Sequence, residues 1–166
     1  MSEILFPVGR LVQGNVQELT TTDGTGKPLV YKSGPNEGQP RSECFFAVAI
    51  PKNGTTDFKQ TEWGQTIAAV AQTAFPNGES TRRDFAWKIT DGDSQEMNKN
   101  NKRPCDNDGF PGNWILSFKS GYAPKLYDRN GVNEITQANA VNLGDYVQVF
   151  GSAVGNNSTQ SPGVYL

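Results

Sequence analysis

Turn-forming residues divide this chain into short segments of β character. The 166 residues include 18 Gly and 10 Pro, a composition that favours many loops between short strands over a helical bundle. Runs rich in β-branched and aromatic side chains predict strands in the regions 8–22, 29–31, 42–50, 85–89, 114–120, 125–128 and 145–151. A chain of this length is expected to form one domain.

One segment has helical rather than strand periodicity. In 61–75, apolar residues recur at helical spacing from Trp63 to Ala74 and form a single stripe. Thr61 suits the N-cap position, and Pro76-Asn77-Gly78 ends the segment. The stripe predicts a helix packed on the strands, with Trp63 in the core rather than in contact with a ligand.

Together these elements predict a mainly β fold with one amphipathic α-helix. Five or more strands and one helix are typical of an OB-like Greek-key barrel, a fold that binds oligonucleotides and oligosaccharides. We therefore expect residues 1–166 to form one OB-like barrel of five or more strands, although other small barrels contain the same elements. The segment 94–113 is polar enough to predict a long exposed loop.

The sequence lacks the residues that several classes of catalytic site and metal site require. The chain has no histidine, its two cysteines form no CxxC pair, and no phosphate-binding loop motif occurs. Asp91-Gly92-Asp93 with Asp106 would be a magnesium site of a nuclease accessory, but a tight turn between strands explains the first two acids more simply. We predict a protein that is not an enzyme, with no cofactor and no metal.

Positive charge is concentrated in two blocks although the whole chain carries −2. Residues 27–52 sum to +2 and residues 99–129 to +3. Both blocks interleave cations with aromatic side chains: Lys27, Tyr31, Lys32 and Arg41 around the loop 33–40, then Lys99, Lys102, Arg103, Phe110, Trp114, Phe118, Lys119, Tyr122, Lys125 and Tyr127. Sequence-tolerant binding of single-stranded nucleic acid requires cations placed along the phosphate backbone and aromatic rings on which bases stack.

Strand alternation limits which aromatic residues can reach a ligand. In 114–120, Trp114 and Phe118 share one face and Lys119 the other, so a solvent-facing Lys119 places both rings in the core. Loop aromatics are better candidates for base stacking. We predict that Tyr31, Phe110 and Tyr122 stack on bases. Phe110 lies between glycines in a polar loop, so its ring is expected to have few core neighbours.

Five segments, in their order along the chain, carry a resemblance to a known family: Gly26-Lys27-Pro28, the stretch 45–52, the helix with Trp63, Trp87-Lys88-Ile89 with Asp91-Gly92-Asp93, and Lys102-Arg103-Pro104 with 109–112. Over most of its length the chain resembles a bacteriophage family that includes OB-fold single-stranded-DNA-binding proteins. The resemblance implies a protein that coats single-stranded DNA without sequence preference in phage replication, recombination and repair. It also implies DNA contacts at the family's basic positions: Lys27, Lys32, Lys52, Lys88, Lys102 and Arg103.

The resemblance also bears on partners and location. Members of this kind usually carry a flexible acidic C-terminal tail that recruits phage or host replication proteins, whereas this chain ends in the apolar segment 161–166. We therefore expect that tail, and recruitment through it, to be missing here. No apolar stretch approaches the roughly 20 residues of a membrane span, and no signal peptide is evident. The expected location is the cytoplasm of the infected host, as a monomer or a dimer.

The predicted DNA interface comprises Lys27, Tyr31, Lys32, Arg41, Lys52, Lys88, Lys102, Arg103, Phe110, Lys119, Tyr122 and Lys125. The main alternative is an OB-like or sandwich module that binds carbohydrate or protein, such as a virion component. Exposed aromatic rings on a β platform suit sugars as well, but sugar binding does not require clustered cations. Salt dependence separates the two alternatives, because phosphate contacts weaken steeply as salt rises.

Overall fold

The computed structural model describes residues 1–32, 34–98 and 100–166. Within these ranges the fold is mainly β, as predicted, with one α-helix. The strands are β1 (Ser2–Leu5), β2 (Gly9–Gly14), β3 (Cys44–Pro51), β4 (Ile89–Asp91), β5 (Asn113–Ser120), β6 (Tyr146–Val147), β7 (Phe150–Gly155) and β8 (Val164–Tyr165), and the helix is α1 (Glu62–Ala74). No helix in the described part of the chain is long and apolar enough to cross a bilayer.

The strands form two antiparallel sheets rather than the single closed barrel that the sequence predicts. One sheet has five strands in the order β4-β5-β3-β2-β6, and the other has three in the order β1-β7-β8. The sheets are linked because β1 runs into β2, and β6 into β7, with only a few residues between them. The ends of the two sheets also approach each other, since the Lys119 amide donates to the Leu166 carbonyl at 3.0 Å.

The main core lies between the two sheets and the helix. On β3 and β5, alternate residues point into it, including Phe46, Val48 and Leu116. Trp63 is 6% exposed and Ile67 is fully buried, which confirms the predicted apolar stripe of the helix. The Thr61 hydroxyl accepts from the Gly64 amide at 3.1 Å, so the predicted N-cap is present.

Several predicted strands are shorter than their sequence pattern indicates. The region 8–22 forms β2 only as far as Gly14, where φ is +76° and a Cβ would lie 2.1 Å from the Phe45 carbonyl oxygen. In 85–89 only Ile89 belongs to a strand, because Lys88 has φ +61° and interrupts the alternation. The regions 29–31 and 125–128 make isolated bridges.

A long excursion between β2 and β3, which we call the arm (residues 15–43), projects from the five-stranded sheet. Its base is closed by reciprocal backbone hydrogen bonds of 2.9 Å between Thr20 and Glu43. Farther out, Thr22 bridges to Pro28 and Val30 to Pro40. Ser33, which begins the predicted loop 33–40, lies outside the described residues.

The Gln17 side chain ties the arm to the segment that precedes β6. Its amide nitrogen donates to the Gln137 carbonyl at 2.8 Å. Its amide oxygen accepts from the Ala140 amide at 2.8 Å and from the Val141 amide at 3.2 Å. One side chain therefore joins the two longest loop regions beside the five-stranded sheet.

Candidate nucleic-acid interface

The side of the five-stranded sheet opposite the main core is what we call the outer face. Directly opposed residues of antiparallel strands point the same way, so the register assigns its members. The rows are Arg10 with Ala49 and Ile115, Gln13 with Ala47 and Ser117, Phe45 with Lys119, and Tyr146 beside Arg10. Alternation in β5 therefore places Lys119 outward and Trp114 and Phe118 in the core, as predicted.

Phe45 is an aromatic residue of this face that the sequence analysis did not identify as a candidate. Its ring is half-buried against Ala47 and Ala49. The ammonium group of Lys119 lies 5.4 Å from the ring centroid, within cation–π range. The alternation of 44–50 contains the signal, because Phe46, Val48 and Ile50 fill the core and leave Phe45 on the opposite side.

Glu43 binds two cations at the edge of this face. It is 8% exposed, and its two carboxylate oxygens accept separately from Lys119 Nζ at 2.6 Å and from Arg41 Nη1 at 3.0 Å. Burial by itself would raise the pKa of Glu43, but the hydrogen bonds from Lys119 and Arg41 outweigh it and lower the pKa. Glu43 is therefore ionised at neutral pH and offsets one of the two positive charges.

The arm presents the first predicted group of binding residues to solvent. Lys27 and Lys32 are exposed and Tyr31 is 43% exposed. Neither lysine is in an ion pair with any described residue. Arg41, the fourth predicted residue of this block, lies at the base of the arm in the Glu43 pair.

The prediction that Phe110 has few core neighbours is wrong. Its ring is 6% exposed and packs on Ala47, Ala49 and Ile115, with Val12 beside them. The small side chains of Ala47 and Ala49 leave room on the outer face, and the loop ending at Asn113 folds back to cover it. Because the ring is buried in a second apolar cluster, Phe110 is not available for base stacking.

Lys52 is also withdrawn from the surface, contrary to its predicted role in DNA binding. Its side chain is 14% exposed, and Nζ contacts Asp91 and lies 2.7 Å from Asp93 and 4.6 Å from the Trp114 ring centroid. Burial would lower the pKa of Lys52, but hydrogen bonds to Asp91 and Asp93 outweigh it and raise the pKa. Its charge is used within the protein.

The acidic residues weighed as a magnesium site have structural partners. Asp93 accepts from Lys52 and, at 2.7 Å, from the Gly112 amide, and these two hydrogen bonds lower its pKa. Asp106 forms two hydrogen bonds with the Arg103 guanidinium, at 2.8 and 3.0 Å. The described residues contain no group of three side chains placed to hold a metal ion.

The polar loop 94–113 presents the second predicted cationic group. Lys102 is exposed and in no ion pair with a described residue, whereas exposed Arg103 is paired with Asp106. Lys99, which belongs to the same sequence block, lies outside the described residues. No described acidic residue therefore offsets the charge of Lys102.

The other predicted residues lie along the edges of the fold. Tyr122 is 74% exposed just after β5, and Lys125 is 3.9 Å from Glu134 with its side chain 72% exposed. Lys88 is half-buried, and its Nζ lies 5.9 Å from the ring centroid of Tyr165. The structure thus leaves the predicted residues in separate groups around the sheet rather than in one compact cluster.

Four further exposed rings were not among the predicted binding residues: Tyr127, Tyr146, Phe150 and Tyr165, at 49%, 75%, 67% and 48% exposure. Tyr146, Phe150 and Tyr165 belong to β6, β7 and β8. Alternation in the predicted strand 145–151 contains the signal for the first two, because Val147 and Val149 pack against the core and leave Tyr146 and Phe150 outward.

No protein-family model and no curated protein sequence matches this chain. Solved structures do. The single-stranded-DNA-binding protein from bacteriophage Enc34 in complex with ssDNA is 15% identical, with a TM-score of 0.62 over 98% of this chain and 80% of that one. Its C-terminal truncation is 14% identical, with a TM-score of 0.61 over 98% and 79%. A further structure of the same phage protein is 14% identical, with a TM-score of 0.60 over 98% and 75%.

Identity this low is informative about the fold alone, and the similarity extends over nearly all of the chain. The resemblance found in the sequence agrees with it. The chain shares its overall fold with the single-stranded-DNA-binding protein from bacteriophage Enc34.

Proposed function

We propose that this protein binds single-stranded DNA without sequence preference on the part of the outer face that the Phe110 loop leaves open, around Phe45 and Lys119. The observation that carries the proposal is the pairing of the Phe45 ring with Lys119, next to Arg41 and the cationic arm. A ring beside ammonium and guanidinium groups offers a surface for any base and a contact for its phosphate. The fold shared with phage proteins that bind ssDNA supports the same assignment.

The binding mechanism requires no reaction chemistry. A base would stack on Phe45, gaining about 1–3 kcal/mol whichever base it is. Phosphates would contact cations placed around the face, and each such contact would release counterions. The proposed contacts beyond Phe45 are Lys27, Tyr31, Lys32, Arg41, Lys88, Lys102, Arg103, Lys119, Tyr122 and Lys125. Phe110 and Lys52 are not included, because their side chains are buried and bound within the protein.

In this proposal the protein is a non-enzymatic OB-like module that coats single-stranded DNA during phage replication, recombination and repair. It acts in the cytoplasm of the infected host. The coating role follows from sequence-tolerant binding, because a stacking surface with phosphate contacts protects any strand that it covers. Replication proteins are the expected class of partner.

The test is a titration of labelled oligo-dT followed by fluorescence anisotropy at two salt concentrations. A label on the DNA is preferable to intrinsic fluorescence, because Trp63 and Trp114 are buried. We expect tight binding that weakens steeply with salt, and weaker binding to a duplex of equal length, since a duplex hides the faces that stack.

The same titration separates this function from binding of carbohydrate or protein by a virion component. Equal affinity for single strand and duplex at moderate salt would contradict the proposal. Binding that does not respond to salt would favour a ligand without phosphates.

A further inference from the structure

We infer that the outward side of residues 146–154, which we call the second track, holds additional bases of the bound strand through Tyr146 and Phe150. This inference rests on the proposed function and extends its site. The second track begins on the five-stranded sheet in β6 and continues on the three-stranded sheet in β7. It would lead the DNA from the outer face across to the second sheet.

Alternation along this segment sorts its side chains cleanly. Val147 and Val149 pack against the main core, and Ala153 is fully buried. The residues that alternate with these point outward, and Tyr146 and Phe150 are 75% and 67% exposed. Rings this exposed on a strand contribute little to the core, and exposed aromatic surface commonly marks a binding site.

The placement of the two rings suits two separate bases. Tyr146 belongs to β6 in one sheet and Phe150 to β7 in the other, with residues 148 and 149 between the two strands. Because the rings lie on different sheets, each ring would take its own base from an extended strand.

The second track is continuous with the outer face through Arg10. Tyr146 is the register partner of Arg10, which in turn lies opposite Ala49 of the outer face. Arg10 is exposed, and its Nε donates to the Gly144 carbonyl at 3.1 Å, which fixes the side chain next to β6. A cation at the junction of the two surfaces is placed for a phosphate between a base on one surface and a base on the other.

The composition of the second track favours a nucleic acid over a second copy of this chain. Polar Gln148 and Ser152 alternate with the rings, and Arg10 lies at one end. On the neighbouring strand β1, exposed Leu5 lies opposite Phe150 and exposed Glu3 lies opposite Ser152, so the apolar pair is flanked by polar and charged groups. The core of a homodimer interface is typically a continuous apolar patch with few charges. Alternating rings and polar groups beside a cation are instead typical of surfaces on which separate bases stack.

The experiment compares the Tyr146→Thr/Phe150→Thr double variant with the wild type on a series of oligo-dT lengths. Threonine suits strand positions, and both rings are exposed, so melting temperature should hardly change. The Tyr146→Phe/Phe150→Tyr variant is the matched control, because it keeps both aromatic faces. We expect wild-type affinity for the shortest oligomers that bind, a loss of about thirtyfold or more on long ones, and a shorter occluded length in stoichiometric titrations at low salt.

Sedimentation of each protein without DNA examines the alternative partner. Self-association that the threonine variant loses, with ssDNA affinity and occluded length unchanged, would overturn the inference in favour of a dimer contact. Wild-type binding at every oligomer length would also overturn it, while leaving the proposed function intact. Failure of the wild type itself to bind oligo-dT would overturn both.

Discussion

The ammonium group of Lys119 is placed between the ring of Phe45, 5.4 Å away, and the carboxylate of Glu43, 2.6 Å away. This relationship joins an aromatic surface to a positive charge on the outer face. It also means that the charge is partly offset before any DNA arrives. Substitutions of Phe45 and of Glu43 test the two sides of this relationship separately.

Phe45→Ala is expected to weaken ssDNA binding by about 1–3 kcal/mol, because a base loses the ring on which it stacks. The loss of stability should be smaller than for a core phenylalanine, since the side chain is only half-buried. Phe45→Leu is the control that keeps apolar packing on Ala47 without an aromatic face. Oligo-dT affinity and melting temperature are measured on all three proteins, and equal affinity in all three would exclude Phe45 as the stacking residue.

Phe110→Ala is expected to behave in the opposite way. Its ring fills the space over Ala47, Ala49 and Ile115, so truncation should cost stability, up to the roughly 3–5 kcal/mol seen for fully buried phenylalanines. Affinity per folded molecule should change little. Denaturant unfolding and anisotropy at a temperature where both proteins are folded provide the measurements. A stable variant with weak binding would return Phe110 to the interface.

Lys102→Ala with Arg103→Ala is expected to lower affinity for every oligonucleotide and to flatten the dependence of affinity on salt. Each lost phosphate contact should reduce the slope by about 0.7 for a single strand. Lys102 should contribute more than Arg103, because Asp106 already pairs with Arg103. Arg83→Ala, which removes an exposed cation outside the proposed interface, should leave the slope unchanged. Equal slopes in all variants would show that loop 94–113 is only solvated surface.

Glu43→Gln is expected to make stability less dependent on pH in acid. The pKa of Glu43 is lower in the folded protein than in the unfolded chain, so its ionised form stabilises the fold above the ordinary carboxyl pKa of about 4.3. That contribution is lost as pH falls through the lower, folded-state pKa. Unfolding free energies measured from pH 7 to pH 3 should therefore fall less in the variant. Parallel curves for the two proteins would contradict the assigned ion pairs.

The same Glu43→Gln variant should bind ssDNA more tightly at low salt and show a steeper salt dependence, because Arg41 and Lys119 would no longer be offset. A fall in affinity would mean that Glu43 matters more for positioning the two cations than for cancelling their charge. Anisotropy titrations at several salt concentrations distinguish the two results.

Lys52→Met is expected to lower stability without changing ssDNA affinity. The substitution leaves Asp91 and Asp93 close together with no cation between them, and the remaining carboxylates repel each other. The loss should be largest near neutral pH and shrink as pH falls through the lowered pKa of Asp93. Thermal melts at pH 7 and pH 3 provide the comparison, and a large drop in affinity with unchanged stability would place Lys52 back in the DNA interface.

Local periodicity in the sequence predicted the helix and the strand that each turn one face toward the main core. The helix between its Thr61 cap and the Pro76 turn follows from its apolar stripe, and the outward Lys119 follows from alternation in β5. Alternation in β3 also predicts that Phe45 points outward. This becomes clear only when one face of the strand is assigned to the main core and the other to the cluster under Phe110. A run as apolar as 44–50 hides that distinction, because Ala47 and Ala49 are buried as well.

Long-range packing decided the residues that the sequence could not place. Phe110 lies in a polar, glycine-flanked loop, and only the alanines of a distant strand explain why its ring is buried. Lys52 resembles a surface cation until the chain returns 39 residues later with Asp91. The left-handed backbone at Lys88 broke a strand that its alternating residues predict. The first two cases depend on contacts between segments far apart in sequence.

The passage of two chain segments from one sheet to the other has a mechanical consequence. Residues 2–14 and 146–155 each contribute strands to both sheets, so neither sheet can open alone without pulling two strands out of its neighbour. Amide hydrogens in the two sheets should therefore exchange through one shared opening event with similar protection, whereas those of the arm beyond Thr20 and Glu43 exchange earlier. DNA bound as proposed would then contact two sheets that open together, next to an arm that we expect to open separately.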